Sequence, residues 1–446
     1  METPLYSRLM RYNGQNRISF AMPGHKNGRG LPDGLICCDV TELAHTEDLH
    51  SPGKAIERSL ELLAEKYGAD ESFILTGGST LGVHAMIAAA LKPGDTLVSF
   101  SDCHMSVVNA CALFNIRLKF FSPSLDNDGH YAGFDEAELT AALEGASALI
   151  AASPDYYGRS KDIEKLAGIC RAHGLPLLVD QAHGAHFAVS DIFPAPAPKC
   201  GADCTVMSAH KTLNALTGAA YLHINGNITD KRRIGRAVCA LETSSPSYVI
   251  AASAETAALT MSRENWERTA LLCDKLKSSV NLRALKNDDK TRLVFFTDTV
   301  SGFEAEKILA DKFGIDIEMA DAGSIVLIVT PSNTEKELDA LCGALNYISS
   351  LKKRQRLIIP RVSPPEGVFS PAAGFFSEST ETAFENAAGK TAACTVTSYP
   401  PGIPVICCGA VITEEAVRSV KELIGAGAKI TGLCDGGKSV YTVKRL

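Results

Sequence analysis

Residues 204–212 read Cys-Thr-Val-Met-Ser-Ala-His-Lys-Thr, and residues 175–184 read Leu-Pro-Leu-Leu-Val-Asp-Gln-Ala-His-Gly. Each stretch starts as a short apolar run, which predicts a buried strand over 175–180 and another over 204–210. Each run then gives way to acidic, basic or imidazole side chains. Continuous apolar strands are typical of a parallel sheet that is covered on both faces. The two stretches therefore indicate an α/β sheet whose polar groups gather at one edge.

Further apolar runs extend this sheet in both directions along the chain. Four more strands are predicted, at 97–100, 117–121, 147–153 and 219–224. Helices are predicted from apolar residues at helical spacing, at 54–67, 80–91, 136–144 and 161–173. Strands that alternate with helices predict a mainly parallel sheet with right-handed crossovers. Ligands of such sheets bind beyond the carboxyl ends of the strands, and there this sequence places its polar clusters.

The chain is predicted to divide into four segments. They are an N-terminal arm at 1–53, a large domain at 54–280, a small α/β domain at 281–350 and a C-terminal α+β domain at 357–446. Within the arm we expect a short helix near 3–12. The rest of the arm shows no helical or strand periodicity of hydrophobic residues. An arm of this kind usually packs on a partner subunit or on an active site. One long helix is predicted over about 249–280.

The composition excludes several classes of protein. The 446 residues suggest about three domains. The net charge of −7 gives no electrostatic footprint for nucleic acid or for an anionic membrane. No apolar run of membrane-spanning length and no signal peptide is visible, so no membrane partner is expected. The 14 cysteines include no C-x-x-C pair, which predicts buried reduced thiols in a cytoplasmic protein and no metal site.

A glycine-rich turn precedes the helix predicted at 80–91. Residues 77–80 read Gly-Gly-Ser-Thr and follow a short apolar stretch at 73–75. Glycines let backbone N–H groups approach an anion, and the hydroxyls of Ser79 and Thr80 add donors. The helix N-terminus adds about half a positive charge. The turn is a candidate phosphate cradle, although glycine-rich turns before helices are also common without a ligand.

Lys211 and Asp180 are the sharper signals. Most lysines are solvated, but a lysine at the ligand-binding edge of an α/β sheet is partly desolvated, which lowers its pKa and makes it a Schiff-base nucleophile. Asp180 ends a buried strand, and a buried carboxylate needs a partner, such as a pyridinium N–H. A phosphate cradle, a lysine and an aspartate are the three parts that a pyridoxal phosphate site requires. We therefore expect pyridoxal 5'-phosphate as the cofactor.

Several motifs resemble the bacterial ornithine/lysine/arginine decarboxylase family, whose members are fold-type I pyridoxal phosphate enzymes. The motifs run in order through nearly the whole chain: Met22-Pro23-Gly24-His25-Lys26, Asp39-Val40-Thr41-Glu42-Leu43, Asp180-Gln181-Ala182-His183-Gly184, Ser208-Ala209-His210-Lys211-Thr212 and Tyr399-Pro400-Pro401-Gly402-Ile403-Pro404. The resemblance implies an aspartate aminotransferase-like three-layer α/β fold. It also implies the short form of the family, without an N-terminal wing domain, and decarboxylation of lysine, arginine or ornithine.

The resemblance also implies a role for each site residue. Lys211 carries the cofactor as a Schiff base, Asp180 pairs with the pyridine nitrogen, and His104 stacks on the ring. His183 faces the substrate carboxylate or the Schiff base. The cofactor phosphate is held by Gly78, Ser79, Thr80, Ser208 and His210. In the family a Ser/Thr-rich loop reaches the cofactor phosphate of the other subunit, and here that loop contains Ser244 and Ser245. A homodimer with shared active sites is therefore expected, and higher oligomers are compatible with it.

Four positions depart from the family pattern. The family usually has an acid where Gln181 stands, a threonine where Asp155 stands and a glutamine near Gly218. Its Pro-Gly-Glu run is Cys-Gly-Ala here and ends at Ala410. None of these positions is Lys211 or Asp180, so the departures bear on the identity of the substrate more than on the cofactor chemistry.

Other functions stay open at this point. Transamination is the main alternative, but many such aminotransferases clamp the substrate carboxylate with an arginine of the small domain. The small domain offers Arg283 and Arg292, both early in the segment and neither well placed for this. A non-catalytic paralogue is a further alternative. The presence of both Lys211 and Asp180 argues against it. The sequence does not identify the acidic residue that binds the distal amine of the substrate. The candidates in the arm are Glu42, Glu47 and Asp48.

Overall fold

A computed structural model of the chain describes residues 18–20, 48–226, 230–351, 362–398 and 402–444. Several features of the sequence lie outside the described residues. These are the helix expected near 3–12, the first two family motifs, Glu42, Glu47 and the Tyr399-Pro400-Pro401 run. Within the described ranges, no helix is both long enough and apolar enough to cross a membrane.

A mixed sheet of eight strands lies at the centre of the fold. Across the sheet the strands are Val368–Phe369, Arg117–Phe121, Thr96–Phe100, Ala148–Ala152, Leu177–Asp180, Cys204–Ser208, Ala220–Ile224 and Glu71–Leu75. The five from Arg117–Phe121 to Cys204–Ser208 are mutually parallel. Ala220–Ile224 is antiparallel to both of its neighbours. All six strands predicted from apolar runs are present, and most are buried along their whole length because helices cover both faces.

Helices cover both faces of this sheet. They are Lys54–Tyr67, Gly78–Ala90, Met105–Leu113, Glu136–Ala142, Ile163–Ala172, Lys231–Leu241 and Tyr248–Leu259. The next helix, Arg263–Ser279, packs instead against the helix Glu335–Ser350. The Gly78–Ala90 helix is apolar on every side and lies between the sheet and further helices, as such a helix must. A Cβ atom on Gly82 would lie 2.3 Å from Val206 Cγ2, so this glycine allows the helix to approach the strand closely. That contact packs the second turn of the helix closely against the Cys204–Ser208 strand.

Two predictions of local structure are wrong. The long helix expected over 249–280 is two helices, because the chain breaks at 260–262 and Ser262 caps the second helix by accepting a hydrogen bond from Asn265 N at 3.2 Å. The strand expected over 204–210 ends at Ser208. A short helical turn, Ala209–Thr212, follows it, and Leu213 N donates to Ala209 O at 2.8 Å. Lys211 therefore lies on a turn just beyond the strand.

The small domain has a sheet of three strands with helices on it. Its strands are Arg292–Phe296, Ser324–Ile328 and Met319–Ala320, and its helices are Gly302–Phe313 and Glu335–Ser350. Both helices begin with a reciprocal capping box, Ser301 with Glu304 and Thr334 with Glu337. A separate strand, Ile315–Asp316, pairs in parallel with Ile18–Ser19 of the arm. Phe20 is fully buried in the core of this domain, so this part of the arm packs on its own chain.

The C-terminal segment consists of short strands and two helices. The strands are Ser379–Ala383, Val396–Ser398, Ile403–Ile406, Ile430–Thr431 and Ser439–Val443, and the helices are Pro371–Phe376 and Glu414–Ala426. A small hairpin, Ser124–Leu125 with Tyr131–Gly133, belongs to the large domain. Short 3₁₀ turns lie at Phe187–Val189, Ala197–Cys200, Phe384–Asn386 and Asp435–Gly437. Cys407, Cys408 and Ala410 pack into the core of the large domain, which brings the C-terminal segment against the sheet. The packing of the four predicted segments does not test whether they are separate domains, and the division stays a prediction.

Candidate active site

A cavity of about 270 Å³ lies at the carboxyl edge of the parallel strands. Eight of the predicted site residues line it: Gly78, Ser79, Thr80, His104, Asp180, His183, His210 and Lys211. Three do not. Ser208 is fully buried beside the cavity, and Ser244 and Ser245 are exposed on the surface of the chain. Residues up to 133 positions apart in the sequence, Gly78 and Lys211, thus meet because parallel strands end at the same edge.

Lys211 projects from the turn after the Cys204–Ser208 strand. Its Nζ lies 3.0 Å from His183 Nε2 and 5.5 Å from the centre of the Tyr156 ring. Burial lowers the pKa of Lys211, although the carboxylates of Asp180 and Glu318 act in the opposite direction. A lower pKa increases the fraction of neutral amine, which is the nucleophilic form.

Asp180 is the last residue of the Leu177–Asp180 strand and is 8% exposed. Its Oδ1 accepts a hydrogen bond from the Ala182 backbone N–H at 3.0 Å. Burial raises the pKa of Asp180, while the charge of Lys211 and this hydrogen bond lower it. A buried carboxylate that faces a cavity is suited to bind a cationic N–H group there.

His183 connects Lys211 to an arginine that the sequence analysis set aside. Arg292 begins the first strand of the small domain, is fully buried, and donates from Nη2 to His183 Nδ1 at 2.9 Å. The Tyr156 ring lies 4.4 Å from the His183 ring, centre to centre. Arg292 does not line the cavity. No pattern in the sequence indicated this contact, because it joins two different sheets and residues 109 positions apart.

His104 and His210 lie on the cavity wall as neutral side chains. His104 caps the Met105–Leu113 helix by accepting from Ser106 N at 3.2 Å. His210 donates from Nδ1 to Ala219 O at 2.9 Å. Burial lowers the pKa of each to about 4. At neutral pH both rings are therefore uncharged, which is compatible with His104 stacking on an aromatic ring. The single N–H of the neutral His210 ring is donated to Ala219 O, so its Nε2 has no proton to donate.

The glycine-rich turn has the room and the donors that a phosphate group needs. Gly78 has a φ of +76°, and a Cβ atom built there would meet nothing within 4 Å, so open space lies at the start of the Gly78–Ala90 helix. The Ser208 hydroxyl is buried and has no hydrogen-bond partner among the described residues. A buried hydroxyl without a partner is costly unless a ligand satisfies it. These residues fit the phosphate end of pyridoxal phosphate.

Three of the four departures from the family pattern have a structural account. Gln181 is 1% exposed and its side chain accepts from Ala197 N at 2.9 Å, so it stabilises a loop and does not line the cavity. Gly218 has a φ of +97°, and a Cβ atom there would lie 2.8 Å from Thr76 O. Ala410 is buried in the core of the large domain. Only the departure at Asp155 places a new functional group on the cavity wall.

Acidic side chains also line the cavity away from Asp180. Asp102 forms a buried ion pair with Lys161 (Oδ2 to Nζ, 2.7 Å), and its Oδ1 has no partner among the described residues. Asp155 accepts at Oδ1 from Tyr157 N and Arg159 N, both at 2.9 Å. Burial raises the pKa of Asp155. Asp102 was not among the predicted site residues. Its position two residues after the predicted strand 97–100 was the signal that could have identified it.

The C-terminal motif also reaches the cavity. Gly402 O accepts from Met105 N at 2.9 Å, and Ile403 lies on the cavity wall. The described end of the motif therefore holds the start of the helix that His104 caps. A motif about 300 residues away in the sequence contributes to the site because the C-terminal segment packs on the large domain.

The Ser/Thr-rich loop is held at its base and exposed at its tip. Both carboxylate oxygens of Glu242 accept from Thr76, one from the backbone N at 2.8 Å and one from Oγ1 at 2.9 Å. His50 Nε2 donates to Thr243 O at 2.8 Å. Ser244 and Ser245 beyond these contacts are exposed. Among the described residues of a single chain, neither serine lines the cavity.

Comparisons with known proteins identify relatives of this chain. The family model described as "Orn/Lys/Arg decarboxylase, major domain" matches residues 3–302. The uncharacterized protein YaaO of Bacillus subtilis is 33% identical over 97% of this chain and 96% of its own length. Arginine decarboxylase of Bacillus anthracis is 29% identical over 97% and 95%. The lysine decarboxylase LdcF of Francisella novicida has a TM-score of 0.78 over 99% of this chain and 81% of its own, at 18% identity. The aminotransferase-like fold predicted from the sequence is confirmed.

Proposed function

Since this chain belongs to the Orn/Lys/Arg decarboxylase family, we propose that it is a pyridoxal phosphate-dependent enzyme that decarboxylates lysine, arginine or ornithine. The product is then cadaverine, agmatine or putrescine, each a compound of polyamine metabolism. The observation that carries the proposal is the meeting of Lys211, Asp180 and the Gly78–Thr80 cradle on one cavity.

Pyridoxal phosphate, when bound, supplies an electron sink for the charge left on the substrate Cα as carbon dioxide leaves. The residues of the chain support that chemistry in separate ways. Asp180 would hold a proton on the ring nitrogen, because its buried carboxylate stabilises an adjacent cation. Lys211 Nζ would carry the cofactor and would hold the proton that is returned to Cα. The cradle at 78–80 would hold the phosphate, and His104 would pack on the ring.

The cavity itself offers carboxylates for the distal cation of a basic substrate. Asp102 and Asp155 line it together with Asp180. Asp102 is already paired with Lys161, which leaves Asp155 without a cationic side chain bonded to it among the described residues. Asp48, the described candidate from the arm, accepts from His50 N at 2.8 Å and does not line the cavity. We therefore propose that Asp155 binds the distal amine or guanidinium of the substrate.

Asp155→Asn is expected to raise KM for the preferred amino acid by about 10- to 100-fold, the value of one lost charged hydrogen bond. The amide oxygen can still accept from Tyr157 N and Arg159 N, so the turn is kept and kcat should change little. The matched control is Asp135→Asn on the surface, where asparagine also caps the following helix. Steady-state kinetics with unchanged KM for all three substrates would remove Asp155 from substrate binding.

The test of the proposed function is an assay of the purified protein with lysine, arginine and ornithine in parallel, with pyridoxal phosphate present. Carbon dioxide and the matching amine are expected from at least one substrate. Formation of a keto acid with transfer of the amino group would show transamination in its place. An absence of both products, with the cofactor bound, would support a non-catalytic paralogue.

We also propose that the enzyme is a cytoplasmic homodimer with shared active sites. Support comes from the exposed Ser244 and Ser245, which have no role in their own cavity, and from the arm that precedes residue 48. A loop that enters a helix, here Tyr248–Leu259, offers N–H and hydroxyl donors to an anion such as the partner's cofactor phosphate. The cytoplasmic location is supported by the 12 cysteines of the described residues, which are all free thiols.

Mixed dimers test the shared site. One subunit carries Lys211→Ala, and the other carries Ser244→Ala, Ser245→Ala and Thr243→Trp. A hybrid dimer then has one site with both defects and one site with neither. Random mixing should restore about a quarter of the wild-type activity, since about half of the dimers are hybrids with one intact site.

The control for this experiment replaces the loop variant with Ser278→Ala and Ser279→Ala, an exposed serine pair on the Arg263–Ser279 helix. This variant should be fully active before mixing. If the loop variant is inactive alone and mixing restores nothing while hybrids form by mass spectrometry, the loop serves its own subunit.

A further inference from the structure

Three side chains form a continuous line of contacts from the cavity into the small domain. Lys211 Nζ lies 3.0 Å from His183 Nε2, and His183 Nδ1 lies 2.9 Å from Arg292 Nη2. His183 is 4% exposed and Arg292 is fully buried. Both ring nitrogens of His183 are therefore engaged by groups that can donate a proton, and this limits where the protons can be.

The proton positions follow from the donor capacity of each group. A guanidinium only donates hydrogen bonds and does not lose its proton in proteins. His183 Nδ1 must therefore accept from Arg292. A neutral imidazole has one N–H, which must then be on Nε2. Burial, together with the positive charge of Arg292, holds the pKa of His183 well below its usual range, so the doubly protonated ring is disfavoured.

The same reasoning reaches Lys211. With its proton on Nε2, His183 donates to Lys211 Nζ, which must offer a lone pair. The neutral amine has a lone pair, and the ammonium has none. The reverse arrangement, in which an ammonium donates to Nε2, would place the ring proton on Nδ1 against the N–H of Arg292. Two donors facing each other at 2.9 Å repel, so the arginine selects against that arrangement.

We propose that Arg292 is a positioning residue, which holds His183 as the tautomer with its proton on Nε2 and thereby holds Lys211 as the neutral amine. The proposal rests on the proposed function where it assigns the cofactor to Lys211. The neutral amine is the form that adds to the aldehyde of pyridoxal phosphate: a C–N bond forms, and the carbonyl oxygen leaves as water.

The other charged groups around Lys211 divide into two sets. Asp180 and Glu318 favour the ammonium, and burial with Arg292 favours the amine. His104 and His210 face His183 and Lys211 as neutral rings. The two carboxylates stabilise the ammonium form of Lys211, so the neutral amine needs a specific contact that stabilises it. In this structure that contact is the hydrogen bond from His183, whose tautomer is set by Arg292.

The tautomer can be measured without cofactor or activity. In apoenzyme labelled with [15N]histidine, ring nitrogen chemical shifts distinguish a protonated from an unprotonated nitrogen, and His183→Gln identifies the signals of this residue among the 11 histidines. At neutral pH we expect a protonated Nε2 and an unprotonated Nδ1. A protonated Nδ1 in the wild-type protein would overturn the proposal, and this measurement needs no variant at position 292.

The effect on Lys211 is measured from the pH dependence of the rate at which apoenzyme takes up pyridoxal phosphate, followed by absorbance. Arg292→Met removes the donor, so His183 can move its proton to Nδ1 and accept from an ammonium. The midpoint of the uptake profile should then rise by about one pH unit, with about tenfold slower uptake below it. Arg292→Lys keeps a cationic donor and should restore the wild-type midpoint.

Circular dichroism melts establish that each variant is folded before its profile is read. A folded Arg292→Met protein with the wild-type midpoint would overturn the proposal. A protein that shows the expected tautomer but takes up no pyridoxal phosphate would contradict the proposed function and leave the role of Arg292 toward His183 intact. The two failures are therefore distinguishable.

Discussion

Lys211→Ala is expected to lower the rate of decarboxylation by about 10²- to 10⁴-fold, the range for loss of a positioned proton donor and acceptor. The loss follows because Nζ is the atom proposed both to carry the cofactor and to return a proton to Cα. Borohydride reduction of the yellow wild-type enzyme should leave a pyridoxyl group on the peptide that contains Lys211. The variant should bind pyridoxal phosphate without forming this adduct.

Lys165→Ala is the matched control, because Lys165 is a surface lysine that pairs with Glu136 at 3.1 Å. It should keep wild-type turnover. Peptide mapping that places the pyridoxyl group on another lysine would overturn the assignment of Lys211. The same result would also move the proposed site away from the cavity, since Lys211 is the one lysine among the described residues that line it.

Asp180→Asn is expected to keep cofactor binding and to lower kcat by about 10²- to 10³-fold. The amide has nearly the shape of the carboxylate and can still accept from Ala182 N. It cannot stabilise a proton on the ring nitrogen, so the electron sink is lost as charge develops at Cα. Turnover is measured by carbon dioxide release, and cofactor binding by absorbance.

The matched control for this variant is Asp162→Asn, at the N-terminus of the Ile163–Ala172 helix, where asparagine is an equally good cap. Near-wild-type turnover of Asp180→Asn would mean that Asp180 is structural and that a different acid pairs with the ring. Loss of cofactor binding with turnover restored by excess pyridoxal phosphate would place the role of Asp180 in binding alone.

The sequence was sufficient for the sheet and for most of the cavity wall. A continuous apolar run indicates a buried strand, because both faces of a parallel strand are covered. All six strands predicted in this way are present. Polar residues that follow such strands meet at one edge whatever the loops do. Lys211, Asp180, His104 and His183 could therefore be grouped before any coordinates were considered, and the structure places all four on one cavity.

Local breaks in the elements were harder to predict. The residues at 260–262 end one helix and begin another, although apolar residues continue at helical spacing on both sides. The strand ends at Ser208 because a helical turn follows it. A run of apolar residues does not indicate where such a turn begins. Both errors concern boundaries, where capping and turn hydrogen bonds compete with periodicity.

The sequence by itself determined the fold class, the family and the residues at the strand ends, since each depends on local composition and order along the chain. Only the tertiary structure decided which groups touch across domains. Arg292 lies 109 residues from His183, and Asp102 lies 59 residues from Lys161, so neither pair shares a period or a motif. The packing of the small domain on the large one sets the first pair, and the alignment of neighbouring strand ends sets the second. These contacts determine the protonation and charge of the cavity, because hydrogen bonds and ion pairs act at distances that only the folded chain defines.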